Sequence, residues 1–137
     1  MFKESIQLEL KKEYVKDILK TVIAFANTSG GKIYIGIDDD GKVLGVQRLD
    51  TDILKLSNSI RDSIKPDITL FTSILVEKID TNDVIVVDVQ KGASSPYYLT
   101  DKGIRPSGVY VRQGDSSVPA TDVAILKMIR DTDGDNF

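Results

Sequence analysis

The stretch from Ala24 to Gly41, AFANTSGGKIYIGIDDDG, constrains the fold of this chain more than any other part of it. Apolar residues before it recur at three- and four-residue intervals, which predicts a helix from about Glu13 to Ala26. Two consecutive glycines then end that helix, and alternating isoleucines predict a strand over residues 32–37. This segment therefore predicts a helix that leads directly into a sheet.

The acidic run after this strand predicts a tight turn, because Asp-Gly tolerates the positive φ angles of a hairpin. Residues 42–46 are then expected to return as the second strand of that hairpin. Further predicted elements are a helix that starts at Asp50 or Thr51 and ends before Pro66, a long hairpin of residues 68–79 and 84–89 joined at 80–83, a strand at 109–111 and a helix from Thr121 to about Arg130. The second strand of the long hairpin is apolar enough to lie in the middle of a sheet.

These elements predict an α+β fold, a single layered domain whose central mixed or antiparallel sheet is flanked by about three helices. A chain of 137 residues with 41% hydrophobic content can bury one core. We expect the domain to cover residues 1–130, and residues 131–137 to form an acidic tail leading to downstream domains.

The composition excludes several kinds of chemistry. The chain has neither His nor Cys, so it cannot carry a thiolate nucleophile, a Ser-His pair or a zinc site of nitrogen and sulfur ligands. A bound metal would be Mg²⁺ or Mn²⁺ held by oxygen atoms. Zero Cys and the lack of a membrane-length apolar run predict a cytoplasmic protein without membrane contact.

The formal net charge of −3 limits any nucleic-acid contact to a local basic patch. Lys12, Lys16 and Lys20 recur at four-residue spacing along the first predicted helix, where they either follow a phosphate backbone or form a solvated face with neighbouring acids. Arg105, and Arg112 followed by the hydroxyl of Ser116, are better candidates, because an arginine fork beside such a loop can hold an anion. The alternative for Arg112 is an ion pair with Asp115 or another surface acid.

Gly30 and Gly31 also have two interpretations. They can approach a phosphate of nucleic acid or of a nucleotide cofactor, or they can cap the preceding helix and start the strand. The capping interpretation is favoured, because phosphates bind at helix N-termini and these glycines follow a helix C-terminus. The chain also lacks a P-loop pattern.

An ordered series of short motifs resembles the Schlafen-like AlbA-type domain. The motifs are Glu4-Ser5, Leu8-Glu9-Leu10-Lys11, Phe25-Ala26-Asn27-Thr28 with Gly30-Gly31, Ile35-Gly36-Ile37-Asp38-Asp39 with Gly41 and Gly45, and Pro96-Tyr97-Tyr98 with Gly108-Val109-Tyr110-Val111-Arg112 and Gly114. In bacteria and archaea this resemblance implies an N-terminal DNA-binding module of a transcriptional regulator, sometimes labelled ATP-binding. In animal Schlafens the related fold cleaves RNA.

The nuclease branch of that family implies a catalytic and metal-binding set. The matching positions here are Glu4, Glu9 and Asp39, with Asp38 as the fallback for the third. Converging carboxylates can hold a divalent ion that activates water, and Lys11 would stabilise developing charge. The alternative is that these acids are solvated or hydrogen-bonded, as turn residues often are. Either way, we expect the N-terminal segment to lie beside the Asp-rich turn, in a groove with an electropositive rim.

The sequence therefore predicts a nucleic-acid-binding module, with DNA favoured over RNA, in a transcriptional regulator. A metal-dependent endoribonuclease is the first alternative, and a nucleotide-binding or protein-interaction module is the second. Homo-oligomerisation is left open.

Overall fold

The computed structural model describes residues 2–134 of the chain. In chain order its elements are β1 (Leu8–Lys11), α1 (Ile18–Asn27), β2 (Gly31–Ile35), α2 (Leu49–Ser63), β3 (Ile64–Lys65), a 3-10 turn (Thr69–Phe71), β4 (Thr72–Ile79), β5 (Asn82–Val89), β6 (Tyr98–Leu99), β7 (Tyr110–Gln113), β8 (Ser116–Pro119) and α3 (Asp122–Gly134). Within these residues, three helices and a mixed four-stranded sheet confirm the predicted α+β class.

The central sheet has the strand order β1-β2-β5-β4. β1 and β2 are parallel, and the other two pairs are antiparallel. β5 lies in the middle of the sheet, as its apolar sequence predicts, and Val84 to Val87 are all buried. Two small two-stranded sheets, β3-β6 and β7-β8, complete the fold.

One face of the central sheet carries the main core. The isoleucines of β2 and the alternating Ile85, Val87 and Val89 of β5 pack with buried residues of α1 and α2. α1 is buried from Ile18 to Ala26 except at Lys20, because it lies between the sheet and the β7-β8 hairpin. The other face carries a smaller cluster in which Phe2 packs against Tyr34, with ring centroids 4.9 Å apart.

α1 is shorter than predicted. It begins at Ile18 instead of Glu13, and residues 12–17 form bends and turns. Tyr14 explains the difference, because its hydroxyl lies 3.1 Å from Ser59 Oγ on α2 and its ring packs against the core before the helix begins. Val15 continues the apolar period in the sequence but is 39% exposed.

The hairpin predicted after β2 is reduced to a single bridge between Ile37 and Val43. Both sides of β2 are already paired, one with β1 and the other with β5. The returning residues 42–46 therefore cannot add as a strand beside it. The predicted hairpin of β4 and β5 forms, although its first strand begins at Thr72, after a 3-10 turn, instead of at residue 68. Its turn is only Asp80-Thr81, both with positive φ.

The helix ends also differ in detail. α2 begins at Leu49, so Asp50 lies in its first turn, where a carboxylate favours the helix dipole, and does not cap it. Thr121 caps α3 as predicted, accepting a hydrogen bond from the Ala124 N–H at 3.1 Å. α3 continues to Gly134, so the first residues of the predicted acidic tail are helical. The remaining tail residues, 135–137, lie outside the described residues.

None of the helices in this described part of the chain is long and apolar enough to cross a membrane.

Candidate functional site

Arg112 on β7 is buried, with a side chain that has no solvent exposure. Its guanidinium donates four hydrogen bonds, to Glu9 Oε1 (2.6 Å), Ser117 Oγ (3.0 Å) and the backbone oxygens of Ser5 (2.8 Å) and Leu8 (3.0 Å). It also lies 4.9 Å above the centre of the Phe25 ring. The expected phosphate contact by Arg112 does not fit this placement, because both Nη groups of its guanidinium already donate to oxygen atoms of the protein itself. Its ion-pair partner is also Glu9 instead of the neighbouring surface acid Asp115.

Glu4 and Glu9 form a hydrogen-bonded pair of carboxyl groups beside Arg112. Burial raises the pKa of Glu9 to about 7, an effect that Glu4 reinforces and Arg112 opposes. Burial also acts to raise the pKa of Glu4, but hydrogen bonds to Glu9 and to the Leu10 N–H, with Arg112 and Lys11 nearby, leave it lowered. The pair therefore retains one proton until near neutral pH.

This shared proton predicts a pH dependence of stability. The folded-state pKa of Glu9 lies above its ordinary value of 4.5, so its stabilising contribution is complete below pH 4.5 and is lost as the pH rises through about 7. We expect the free energy of unfolding in urea to fall across this interval in the wild type and to lose that slope in Glu9→Gln, whose amide does not titrate. A wild-type stability that stays level or rises across the interval would contradict the assignment.

Glu4 and Glu9 lie together, but within residues 2–134 the predicted metal ligands do not all converge. Among residues 2–134, no group of three or more acidic, His or Cys side chains could hold a metal ion, so neither Asp39 nor Asp38 completes a site with Glu4 and Glu9. The Arg112 guanidinium already supplies the positive charge beside Glu9. A divalent ion needs several converging oxygen ligands. Within residues 2–134, the set as placed therefore does not fit Mg²⁺ or Mn²⁺.

The Asp-rich turn is held by its own hydrogen bonds. Asp38 Oδ1 accepts from the N–H groups of Asp40 (3.0 Å) and Lys42 (2.9 Å), so Asp38 closes the turn, while Asp39 is exposed. The N-terminal segment does lie next to this turn, since the N–H groups that follow β2 donate to the Lys11 carbonyl. Lys11 itself reaches Glu9, at 3.9 Å, as expected for residues on one strand face. Within residues 2–134, the carboxylates of the turn and those of the N-terminal segment nevertheless do not form a metal site together.

Gly30 and Gly31 have a structural role that the favoured interpretation anticipates. The Gly30 N–H donates to the Phe25 carbonyl at 2.8 Å and closes the end of α1, with φ +76°. A Cβ at Gly30 would lie 2.7 Å from the Val89 oxygen, and one at Gly31 would lie 2.6 Å from the Phe25 ring. Close packing of strand and helix thus accounts for both glycines.

The three lysines predicted to share one helix side do not lie on one helix. Only Lys20 lies in α1; Lys12 and Lys16 lie in the bends and turns before it. Lys20 is held by Asp17, at 3.3 Å, and lies 5.6 Å over the Tyr110 ring. Lys12 lines a different depression, together with Arg48. The expected basic line along α1 therefore does not form.

A cleft of about 410 Å³ is lined by lysine side chains from two separate parts of the chain. We call it the α1–β6 cleft. It is lined by Lys16, Asp17, Leu19, Lys20, Ser63, Leu99, Thr100, Asp101 and Lys102. Arg105 is exposed in the loop between β6 and β7, which also carries Lys102. Ser116 lies elsewhere, exposed at the start of β8, with its hydroxyl 3.4 Å from Asp115 Oδ1. Within residues 2–134, no ion pair involves Lys16, Lys102 or Arg105.

Asn27, at the end of α1, organises this region and was not among the predicted site residues. Its amide Nδ2 donates to the carbonyl oxygens of Tyr97 and Tyr110, each at 3.0 Å, and its Oδ1 accepts the Tyr97 N–H at 2.7 Å. Asn27 thus joins β7 and the start of β6, which flank the cleft loop. The sequence signal was its place in the Phe25-Ala26-Asn27-Thr28 motif, but its partners lie 70 and 83 residues away.

Comparison with known proteins agrees with this architecture. The family model described as Schlafen, AlbA_2 matches residues 2–121. The DIP2311 protein from Corynebacterium diphtheriae shares the fold with a TM-score of 0.64 at 22% identity, over 83% of this chain and 22% of that one. The N-terminal domain of a Nitrosomonas europaea protein, described as related to the ATP-dependent DNA helicase RecG, has a TM-score of 0.57 at 24% identity, over 84% of this chain and 82% of that one.

The chain spans only 22% of the DIP2311 chain, whereas it spans most of the helicase-related domain. Both likenesses concern the fold. The family match extends from Phe2 through the cap of α3 and includes Glu9, Asn27 and Arg112. The chain belongs to the Schlafen AlbA_2 family.

Proposed function

We propose that this domain binds nucleic acid, with DNA as the ligand, by contacting the phosphate backbone at the α1–β6 cleft. The observation that carries the proposal is that two exposed cations, Lys16 and Lys102, line this cleft, while a third, Arg105, is exposed in the loop that follows Lys102. Membership of the Schlafen AlbA_2 family, and the DNA-helicase description of one protein with the same fold, support a role connected with nucleic acid.

The charges of the cleft suit a phosphate backbone better than a single deeply bound anion. Lys20 is already paired with Asp17, which raises the pKa of this lysine, so it adds little free charge. Lys16, Lys102 and Arg105 remain available, although Asp101 lies among them. Dispersed, exposed cations of this kind give salt-sensitive affinity with little base recognition. We infer that the domain contacts DNA with low sequence specificity and serves as one module of a transcriptional regulator.

The test is a triple substitution of the three cations by alanine, measured by fluorescence anisotropy with duplex DNA over a range of salt concentrations. Each lost phosphate contact is expected to reduce the slope of log affinity against log salt by about 1. The matched control removes three exposed lysines from elsewhere, Lys42, Lys55 and Lys91, and so gives the same net charge. We expect the control to keep most of the slope.

Two results would overturn the proposal. One is the absence of any duplex binding by the wild type at low salt. The other is an equal loss of affinity in the cleft variant and in the charge-matched control, which would mean that net charge and not the cleft determines binding. Single-stranded RNA of the same length serves as the comparison ligand, and clearly tighter binding to it would replace DNA by RNA as the ligand.

A further inference from the structure

The depression that Lys12 and Arg48 line has a volume of about 590 Å³ and lies at the start of α2. Its walls come from residues 12–14, before α1, and from residues 44–48, before α2, with one residue of the first turn of that helix. Lys12 and Arg48 are both exposed, and neither forms an ion pair within residues 2–134. We call this depression the α2 pocket.

Residues 12–17 connect the α2 pocket with the α1–β6 cleft. Lys12 lines the pocket at one end of this segment, and Lys16 lines the cleft near the other end. Between the two lysines, the Tyr14 hydroxyl lies 3.1 Å from Ser59 Oγ, which holds the segment against α2. The pocket and the cleft thus lie at the two ends of one contact between this segment and the helix.

The separation of the two depressions follows from α2, which borders both. Asp52, in the first turn of the helix, lines the α2 pocket, and Ser63, its last residue, lines the cleft. About 17 Å separates these two residues at about 1.5 Å per residue along the helix axis. One strand of a duplex carries a phosphate about every 3.4 Å, so about five phosphate steps cover this interval. A single short stretch of duplex is therefore long enough to reach both depressions.

We propose that the α2 pocket is a second phosphate-binding site for the duplex held at the α1–β6 cleft, reached along residues 12–17. This inference rests on the proposed function, because the same duplex is the ligand at both places. Lys12 and Arg48 contact the phosphate backbone at one end of the interval, and Lys16 and Lys102 contact it at the other. Each further phosphate contact releases counterions and so increases both the affinity and its dependence on salt.

The charges of the α2 pocket suit a tethered backbone better than a free anion. Glu13 and Asp52 line the pocket together with Lys12 and Arg48, so its two positive and two negative formal charges cancel. This balance gives the pocket little attraction for a small phosphate ion. A duplex already bound at the cleft presents its phosphates at a high effective concentration, which makes a weak second contact productive. The α2 pocket should therefore respond to duplex DNA and not to inorganic phosphate.

The first test is a titration of isotope-labelled protein with a duplex several times longer than the interval, followed by heteronuclear NMR. The amide signals of Lys12 and Arg48 should shift over the same DNA concentrations as those of Lys102 and Arg105. Inorganic phosphate at the same total phosphate concentration should leave the signals of Lys12 and Arg48 unchanged.

The outcomes of this titration separate the two proposals. Shifts at Lys102 and Arg105 without shifts at Lys12 and Arg48 would refute the second site and leave the proposed function intact. No shift at any of these residues would refute both. Equal shifts with inorganic phosphate would show an independent anion pocket and would also refute the bridging duplex.

The second test is a double variant, Lys12→Ala with Arg48→Ala, measured by fluorescence anisotropy with the same duplex. The slope of log affinity against log salt should decrease by about 2, one for each lost phosphate contact. The matched control is Lys32→Ala with Lys91→Ala, which removes the same charge from two exposed lysines that line a different depression. Equal slopes for the double variant and its control would contradict the proposal.

A short ligand tests whether one duplex bridges the two depressions. A DNA hairpin with a stem of about four base pairs is about 14 Å long at about 3.4 Å per pair, shorter than the interval. The wild type and the double variant of Lys12 and Arg48 should bind this hairpin equally, although they differ on the long duplex. A loss of hairpin affinity as large as the loss for the long duplex would refute bridging. Circular dichroism of both variants should match that of the wild type.

Discussion

Arg112→Ala is expected to lower the free energy of unfolding by about 3–5 kcal/mol, the usual cost of removing one partner of a buried ion pair. The substitution leaves the Glu9 carboxyl group without its guanidinium, and the Ser5 and Leu8 carbonyls without their donor. It also removes the contact with the Phe25 ring. Equilibrium unfolding in urea, monitored by circular dichroism, measures the change.

The matched control for this experiment is Arg105→Ala, because Arg105 is exposed and forms no ion pair within residues 2–134. Its effect on stability should remain within about 0.5 kcal/mol, as for most surface substitutions. Arg112→Lys should recover only part of the loss, since an ammonium group cannot reproduce the planar fork. Near-wild-type stability of Arg112→Ala would refute the structural role assigned to this residue.

Asn27→Ala is expected to destabilise the protein by about 3 kcal/mol or more, since it leaves three buried peptide groups without partners at about 1–3 kcal/mol each. The groups are the Tyr97 N–H and the carbonyl oxygens of Tyr97 and Tyr110. Tyr97 is fully buried and Tyr110 is only 7% exposed, so water cannot easily replace the amide. Chemical denaturation again measures the loss.

Asn58→Ala provides the comparison, because Asn58 makes one exposed hydrogen bond, to Arg61 on its own helix. Its cost should be within about 0.5 kcal/mol. Asn27→Asp should remain strongly destabilised, because a carboxylate presents an oxygen to the two carbonyls that now accept from Nδ2. An Asn27→Asp variant as stable as the wild type would show that these hydrogen bonds do not hold the strands.

These two residues connect stability with the proposed binding surface. Asn27 fixes the backbone on both sides of the loop that carries Lys102 and Arg105, since it bonds to Tyr97 before β6 and to Tyr110 on β7. Arg112 ties β7 to the N-terminal segment. The hydrogen bonds of Asn27 and Arg112 thus hold the backbone on both sides of this loop. The side chains of Lys102 and Arg105 are not part of that network. Hydrogen bonds to the backbone, rather than ion pairs, hold the two ends of the loop that carries Lys102 and Arg105.

Local patterns predicted the elements whose determinants lie close together in sequence. The β4-β5 hairpin, the central position of β5, the Thr121 cap and the role of Gly30 all follow from residues a few positions apart. The predicted start of α1 was wrong because Tyr14 packs against α2, and the hairpin after β2 was wrong because β1 and β5 occupy both sides of that strand. Each error arose where a distant element competed for the same residues.

The site shows the same division. The sequence singled out Glu9 as a metal ligand and Arg112 as a phosphate contact, among several other candidates, and placed Lys11 on the strand face of Glu9. Periodicity in the chain cannot show that Glu9 and Arg112 are each other's partners, because 103 residues separate them and only the packing of β7 beside the N-terminal segment brings them into contact. The same packing leaves Lys16 and Lys102 on one cleft although the sequence places them far apart.

The amino-acid sequence by itself determined the α+β class, the order of the three helices with β2, β4, β5 and β7, and the exclusion of thiol and imidazole chemistry, because these depend on short-range periodicity and on composition. Tertiary structure alone decided which charges are neutralised inside the protein and which remain open to a ligand. The physical reason is that desolvation and pairing depend on neighbours in space. Burial converts Arg112 from a surface cation into a structural one, while exposure leaves Arg105 free to meet phosphate.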